Sequence, residues 1–375
     1  MKMTYRAHVY RTWIAVLVAL IAAGIWCYVR QLELGLGLTG MSRDVTWGLY
    51  IGQFIFAEGI AASVVVLLHK AFGKVVLFGQ LIAIAGVIAS MLFIVADMGR
   101  PSLVLNVLWH ASPGSVMFWD MLSLGGFLAL NIVIAAVTLD CERKEIPPPG
   151  WLRPVILLSI PWAIGMQTVA AFLYCGLPGR SFWLTAILAP RFLVSAFAAG
   201  PALLILIMLV LRRIAGVPVQ DEALRGLGTI VSYAMALNLF FILLEVFTAF
   251  YAQIPEPMEH FRYLFLAPWM WTSAILAIAS LVLLGFQRNL ALASVAAFAS
   301  LWIDKGFGMV IGGFVPSPNG SITEYLPTAP EIAIAAGIWA AGALIATLLF
   351  RTAIGVRADA QENSELLLIK QEVSY

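Results

Sequence analysis

Charge is scarce in this sequence. Only 11% of its 375 residues are Asp, Glu, Lys or Arg, where a soluble domain carries roughly 25%. The 22 basic and 20 acidic residues nearly cancel, leaving +2, which gives no electrostatic footprint for nucleic acid. Cysteine is equally sparse. Cys27, Cys141 and Cys175 stand apart with no CxxC pair, so neither a thiolate metal site nor an iron–sulfur cluster is expected within this chain alone. All three read as packing cysteines. The four histidines, His8, His69, His110 and His260, fall near span ends or in loops. A haem held in a bundle needs facing ligands inside helices, so bound haem is not expected either. The two-residue alternation of a membrane β-barrel is also missing.

What abounds is apolar sequence, 62% of the chain. It comes in about ten runs of roughly 20 residues, each long enough to cross a bilayer as a helix. The fold class expected is therefore an all-α integral membrane protein. The spans run Arg11–Val29, Thr46–Leu68, Lys74–Ala96, Ser115–Leu139, Leu152–Tyr174, Phe192–Leu211, Leu227–Phe250, Leu266–Phe286, Asn289–Gly312 and Pro330–Phe350. The basic start MKMTYRAHVYRTW meets no small-residue cleavage site, so the first run reads as a retained span. An even number of spans puts both termini on one side. That side collects 15 Lys and Arg against 7 on the other, so both termini are expected in the cytoplasm. The loops Leu173–Arg191 and Phe314–Pro330 then face outward. Pro161 and Pro201 sit inside spans, where they favour kinks. Small residues at Gly59-Ile60-Ala61-Ala62-Ser63 and Ala335-Ala336-Gly337 read as faces for close helix packing. The tail from Arg357 to Tyr375 is polar, and reads as a short cytoplasmic segment, loosely ordered or held by a partner.

Polar side chains interrupt this pattern at few places, and an ionisable group within lipid is by default a functional hypothesis. On the second span Trp47, Ile51, Phe54 and Glu58 fall within about 60° of one another at 100° per residue. Glu58 lies about 18 Å from the outer end at 1.5 Å per residue. Gln53 points roughly 140° away from it. Trp47, Tyr50 and Gln53 could line a slot for a flat ring, or the aromatics could be interfacial belt residues. Glu58 is either a proton carrier or half of a structural hydrogen bond. Asp97 and Arg100 pair locally to fix a turn, or ring the mouth of the slot together with His110, Trp119 and Asp120. Ser112-Pro113-Gly114-Ser115 reads as the start of the fourth span. Later in the chain Asn238 and Glu245 share a stripe, and Asp304 and Lys305 sit inside the ninth span. Glu245, Asp304 and Lys305 form either a proton path or an internal ion pair. Glu331 reads as a helix cap.

At Trp47-Gly48-Leu49-Tyr50, with Phe54, Gly59 and Ala61-Ala62-Ser63 following, the sequence resembles the NrfD/PsrC family. The resemblance returns at Asp97-Met98-Gly99-Arg100-Pro101, at Ser115 and at Phe118-Trp119-Asp120. These are the integral membrane subunits of polysulfide-reductase-type respiratory complexes. The span count and Tyr325-Leu326-Pro327-Thr328 with Glu331 extend the resemblance over nearly the whole chain. Within the family the chain is most similar to DsrP- or HmcC-type subunits. The resemblance implies two four-helix bundles, residues 46–174 and 192–312, flanked by the first and last spans. It implies a menaquinone or ubiquinone site near the outer face of the first bundle, lined by Trp47, Tyr50, Gln53, Asp97, Arg100, Ser115, Trp119 and Asp120. Asp97, Asp120 and His110 would exchange protons there, and Glu58, Glu245, Asp304 and Lys305 would conduct them. The implied partner is a periplasmic, ferredoxin-like iron–sulfur subunit, within a larger redox complex that could also hold cytochrome c or haem b subunits. The bilayer is the bacterial or archaeal cytoplasmic membrane. The functional expectation is thus a quinone-interacting subunit that is not catalytic alone. The rival readings are an ion-coupled secondary transporter and a structural anchor without quinone chemistry.

Overall fold

With no water to serve the backbone in a bilayer, each apolar run closes its own hydrogen bonds as helix. A computed structural model of the chain describes residues 2–63, 75–110, 112–177, 179–180, 182–286, 289–315, 317 and 322–373, without the side chains of 2–7, 63 and 359–373. The helices are α1 (Lys2–Leu34), α2 (Leu49–Ser63), α3 (Val75–Asp97), α4 (Asn106–Trp109), α5 (Val116–Lys144), α6 (Leu152–Cys175) and α7 (Leu188–Ile214). They continue as α8 (Asp221–Tyr251), α9 (Pro255–Leu266), α10 (Pro268–Gly285), α11 (Leu290–Ile303), α12 (Met309–Gly313) and α13 (Ala329–Val373). No strand occurs among the described residues. Among the described residues nine segments are long and apolar enough to cross a membrane, α11 and α12 counting as one, and α2 is a shorter apolar helix. The remainder of the second expected span, with His69, Lys70 and Lys74, lies outside the described residues.

α2 is the centre of the packing, in contact with α3, α6, α7 and α13. Its neighbours come close because side chains are missing. A Cβ on Gly52 would stand 2.3 Å from the carbonyl oxygen of Gly306, and one on Gly86 of α3 would stand 3.2 Å from that of Ala57. Outside this core α13 runs against α1, α3 and α5, while α7 packs on α8 and α11. Gly24 and Gly337 let α1 and α13 touch, since a Cβ on either would come within 2.9 Å of the other's Cα.

Between α11 and α12 the helix takes one π-turn, Asp304–Gly308. Such turns open the hydrogen-bond ladder and recur at functional sites. At the start of α13, Thr328 and Glu331 bond reciprocally, backbone N–H to Oε2 at 2.9 Å and N–H to Oγ1 at 3.4 Å. This capping box matches the cap expected at Glu331. Glu331 also accepts from the Gly40 N–H at 2.7 Å and the Tyr325 hydroxyl at 2.7 Å. Tyr325 in turn accepts from the Leu49 N–H at 2.7 Å, so one buried carboxylate organises the starts of both α13 and α2.

Three expectations are corrected. α9 is an additional helix in what read as a loop; its buried residues are His260, Phe261 and Leu264. The backbone of the polar tail continues α13 as helix through Val373, and Arg357 grips Glu142 of α5 at 2.8 and 2.9 Å. Arg191 and Lys305, counted among the outward charges, are only 6% and 4% exposed and say nothing about sidedness.

Candidate functional site

α2 begins at Leu49, so Trp47 precedes the helix and cannot share a helical stripe with Glu58. The ring of Trp47 stacks on Trp183 at 5.7 Å and meets Tyr174 edge-on at 5.0 Å. Trp183 comes from the segment joining α6 to α7. It donates from Nε1 to the Met309 carbonyl at 3.1 Å and presses on Gly313, where a Cβ would stand 2.0 Å from the indole. Arg180 fastens the same segment, donating to the carbonyls of Asp44 at 2.6 Å and Phe314 at 3.2 Å. The flat space expected beside Trp47 is therefore filled by Trp183.

Several residues expected to line that slot are engaged elsewhere. The Tyr50 hydroxyl donates to Gln31 of α1 at 2.7 Å, and Gln31 donates to the Ala96 carbonyl at 2.7 Å. Gln53 donates to the Gly306 carbonyl at 2.7 Å and accepts from the indoles of Trp302 and Trp339 at 2.8 and 2.9 Å. It knots α2 to the π-turn, α11 and α13. Trp119 is 46% exposed, and its indole donates to the Pro113 carbonyl at 2.8 Å. Arg100 and His110 are exposed. No Asp97–Arg100 ion pair forms among the described residues. Ser115 stands at the N-cap of α5 without a side-chain capping bond. These outer residues do not converge, because the aromatic segment carrying Trp183 closes over Trp47 and the re-entry after Asp97 leaves Arg100 and His110 exposed.

A different set does converge, deeper in the helices. Glu58 (α2) and Asp120 (α5) act on each other electrostatically, and Lys305 acts on Glu58 as well. Tyr174 (α6) feels Asp97, Glu58 and Asp120 together. Glu58 and Asp120 are 0% and 4% exposed, and Asp97 is half-buried. Both oxygens of Glu58 and one each of Asp97 and Asp120 lack a hydrogen-bond partner among the described residues. A buried polar atom left unbonded is expensive. Gln167, its Nε2 also unbonded among the described residues, is the donor beside Glu58, and the free oxygens of Asp97 and Asp120 are left for something that donates.

The π-turn delivers Lys305 to it. Its ammonium donates to Gln167 Oε1 at 3.2 Å and to the Phe192 carbonyl at 3.3 Å, and lies 4.3 Å from the Phe192 ring centroid. Gly59 makes room, since a Cβ there would stand 3.2 Å from Nζ. One residue back, Asp304 accepts both bonds of a fork from Arg191 Nη2, at 2.9 and 3.1 Å. Arg191 also donates to Glu245 Oε2 at 2.8 Å. Glu245 and Asp304 are thus an internal ion-pair triad with Arg191, which favours the second of the two alternatives left open for them.

Arg191, Gln167, Tyr174 and Trp183 were not among the residues expected from the sequence. Pro190 is the available signal for Arg191: proline suits the first turn of a helix, so α7 begins before Arg191 and carries it inward. For Gln167 the signal is a polar residue in mid-span. Nothing local marks Trp183, which belongs to the segment between α6 and α7 and reaches the core only through tertiary packing.

A family model described as "Polysulphide reductase, NrfD" matches residues 37–315, a stretch that takes in α2 to α12. A provisionally named membrane subunit of dimethyl sulfoxide reductase from Halobacterium salinarum is 24% identical, the match covering 89% of each chain. An Hdr-like menaquinol oxidoreductase integral membrane subunit of Archaeoglobus fulgidus is 23% identical over 84% of this chain and 80% of its own. A selenate reductase subunit of Mesobacillus selenatarsenatis is 22% identical over 64% of each.

Proposed function

The chain belongs to the polysulphide reductase, NrfD, family, and from that premise we propose that it is the quinone-interacting membrane subunit of a multi-subunit respiratory oxidoreductase. It exchanges electrons between a quinone of the bilayer and an iron–sulfur subunit docked on the outer face. The membrane is the cytoplasmic membrane of a bacterium or archaeon, with both termini inside. The names of the relatives, a menaquinol oxidoreductase subunit and two reductase subunits, support this reading. One observation carries it: Glu58 and Asp120 lie together in the helical interior with three carboxylate oxygens unbonded among the described residues.

A quinone headgroup needs donors for its carbonyl oxygens and aromatic walls for its ring. Tyr50, Gln53 and Trp119 have their donors engaged. Tyr174 does not: its hydroxyl makes no hydrogen bond among the described residues, and its ring stands among Trp47, Trp183 and Phe192. Asp97 and Asp120 add an O–H each when protonated. We therefore assign headgroup contact to Tyr174, Asp97 and Asp120, with Trp47 as wall. When bound, a quinone supplies two-electron, two-proton chemistry. The chain's part is to hold the ring through Tyr174, to exclude water with the tryptophans, and to store or release a proton at Asp97 or Asp120. Glu58 relays between Asp120 and Lys305. Glu245 and Asp304, clamped by Arg191, stand outside this route.

In the reconstituted complex, Asp120→Asn should lower quinol turnover by about 10²–10⁴-fold, the usual contribution of a positioned proton-transfer group, while the iron–sulfur subunit still docks. Tyr174→Phe should weaken quinone-analogue binding. Unchanged turnover in Asp120→Asn would remove the assignment, and solute flux through proteoliposomes of the isolated chain would favour a transporter instead.

A further inference from the structure

Between α7, α8, α10 and α11 lies a cavity of about 80 Å³, lined in part by Arg191, Asn238, Glu245, Ser273, Ser300 and Asp304. That volume holds roughly two or three water-sized bodies. Two of its oxygens are unbonded among the described residues, Glu245 Oε1 and Asn238 Oδ1, on side chains 9% and 2% exposed. Seven residues apart on α8, they share one face of the helix. Two more oxygens come from a serine pair. Ser273 donates to the Ser300 carbonyl at 2.9 Å and Ser300 donates to the Ser273 carbonyl at 2.8 Å. The two hydroxyl oxygens lie 3.2 Å apart, and with each hydrogen given to a carbonyl, both keep lone pairs for a guest.

The charge of the site points the same way. One guanidinium faces two carboxylates, and the nearby Lys305 ammonium is turned to Gln167 and the Phe192 carbonyl. Among the described residues Glu245 Oε1 therefore has no cation against it inside a membrane span, an expensive state unless it is compensated. A proton on Asp304 would weaken the fork it accepts from Arg191, and a proton on Glu245 Oε1 would leave the serine lone pairs unmet. A cation at the free oxygens compensates the charge and leaves the fork intact. From this geometry we infer that the cavity is a binding site for a monovalent cation of sodium size. Glu245 Oε1, Asn238 Oδ1 and the two serine hydroxyls ligate it, and water completes the shell. The site is separate from the Glu58–Asp120 cluster and stands whether or not that cluster meets a quinone.

The test uses the full chain in lipid nanodiscs, with sodium chloride exchanged for N-methylglucamine chloride at constant ionic strength. A ligand that binds only the folded protein stabilises it with the logarithm of its concentration. The melting temperature should therefore rise by an equal step for each tenfold increase in sodium above the dissociation constant. In Asn238→Leu that step should shrink or vanish. Should the variant fail to fold, equilibrium binding of radioactive sodium to the wild-type chain decides, with one competable ion per chain expected. Identical melting in sodium and N-methylglucamine, together with no saturable sodium binding, would overturn the site and leave a cavity that holds water only.

Discussion

Arg191 holds two carboxylates with one guanidinium in the interior of the helices, and its loss would leave both unpaired. Removing one partner of a buried ion pair typically destabilises by about 3–5 kcal/mol, so Arg191→Met should lower the melting temperature sharply. Adding Glu245→Gln and Asp304→Asn should restore part of the loss, because the charges left behind are then gone. A single variant as stable as wild type would mean that the triad contributes nothing. His260 offers a different readout. It lies outside the spans, 1% exposed, stacked on Phe182 at 3.6 Å and bonded through Nδ1 to the Val315 carbonyl at 2.9 Å. Burial, its largest cause, lowers it from the ordinary value to about 4. The unfolded chain therefore takes up the proton first. Stability is complete above about pH 6.5 and falls as the pH drops toward 4, by on the order of 3 kcal/mol. Melting curves between pH 7.5 and 4.5 should show the fall in wild type and much less of it in His260→Gln. At this scale the sequence was legible where a polar residue interrupts an apolar span, as at Glu58 and Asp120. It was silent where a partner arrives from afar, as Trp183 arrives at Trp47.

Among the elements, the contact of α2 with the π-turn is the one that admits no extra atom. Gly52→Ala would drive a methyl onto the Gly306 carbonyl and disturb the bond that Gln53 makes there at 2.7 Å. Overpacking of this kind costs about 1–3 kcal/mol. Gly125→Ala, on α5 with nothing within 4 Å of the new Cβ, should instead stabilise, by up to about 1 kcal/mol from helix propensity alone. Thermal unfolding of the pair should move in opposite directions, and equal shifts would refute the close approach. Helices as units were readable because the run of apolar residues is the signal and lipid permits few other backbones. Interruptions were not. The π-turn at Asp304–Gly308 depends on tertiary contacts that no periodicity announces, and α9 is too short and too mixed in composition to stand out between α8 and α10.

For the molecule as a whole, the all-helical membrane architecture follows from scarcity of charge and abundance of apolar runs, and the family match agrees with the residues that carried the resemblance. The rim of residues expected around Trp47 is another matter. Exposed Trp119, His110 and Arg100 follow the motif but not the convergence, which instead occurs among Asp97, Asp120, Tyr174 and Glu58. The most direct test is photoaffinity labelling of the intact complex in native membranes with an azido-quinone, the adducts mapped by mass spectrometry. Labelling within Val116–Lys144 and Leu152–Cys175, suppressed by unlabelled quinone, is the result the account predicts. Label on partner subunits alone, with turnover intact and this chain unmarked, would contradict it.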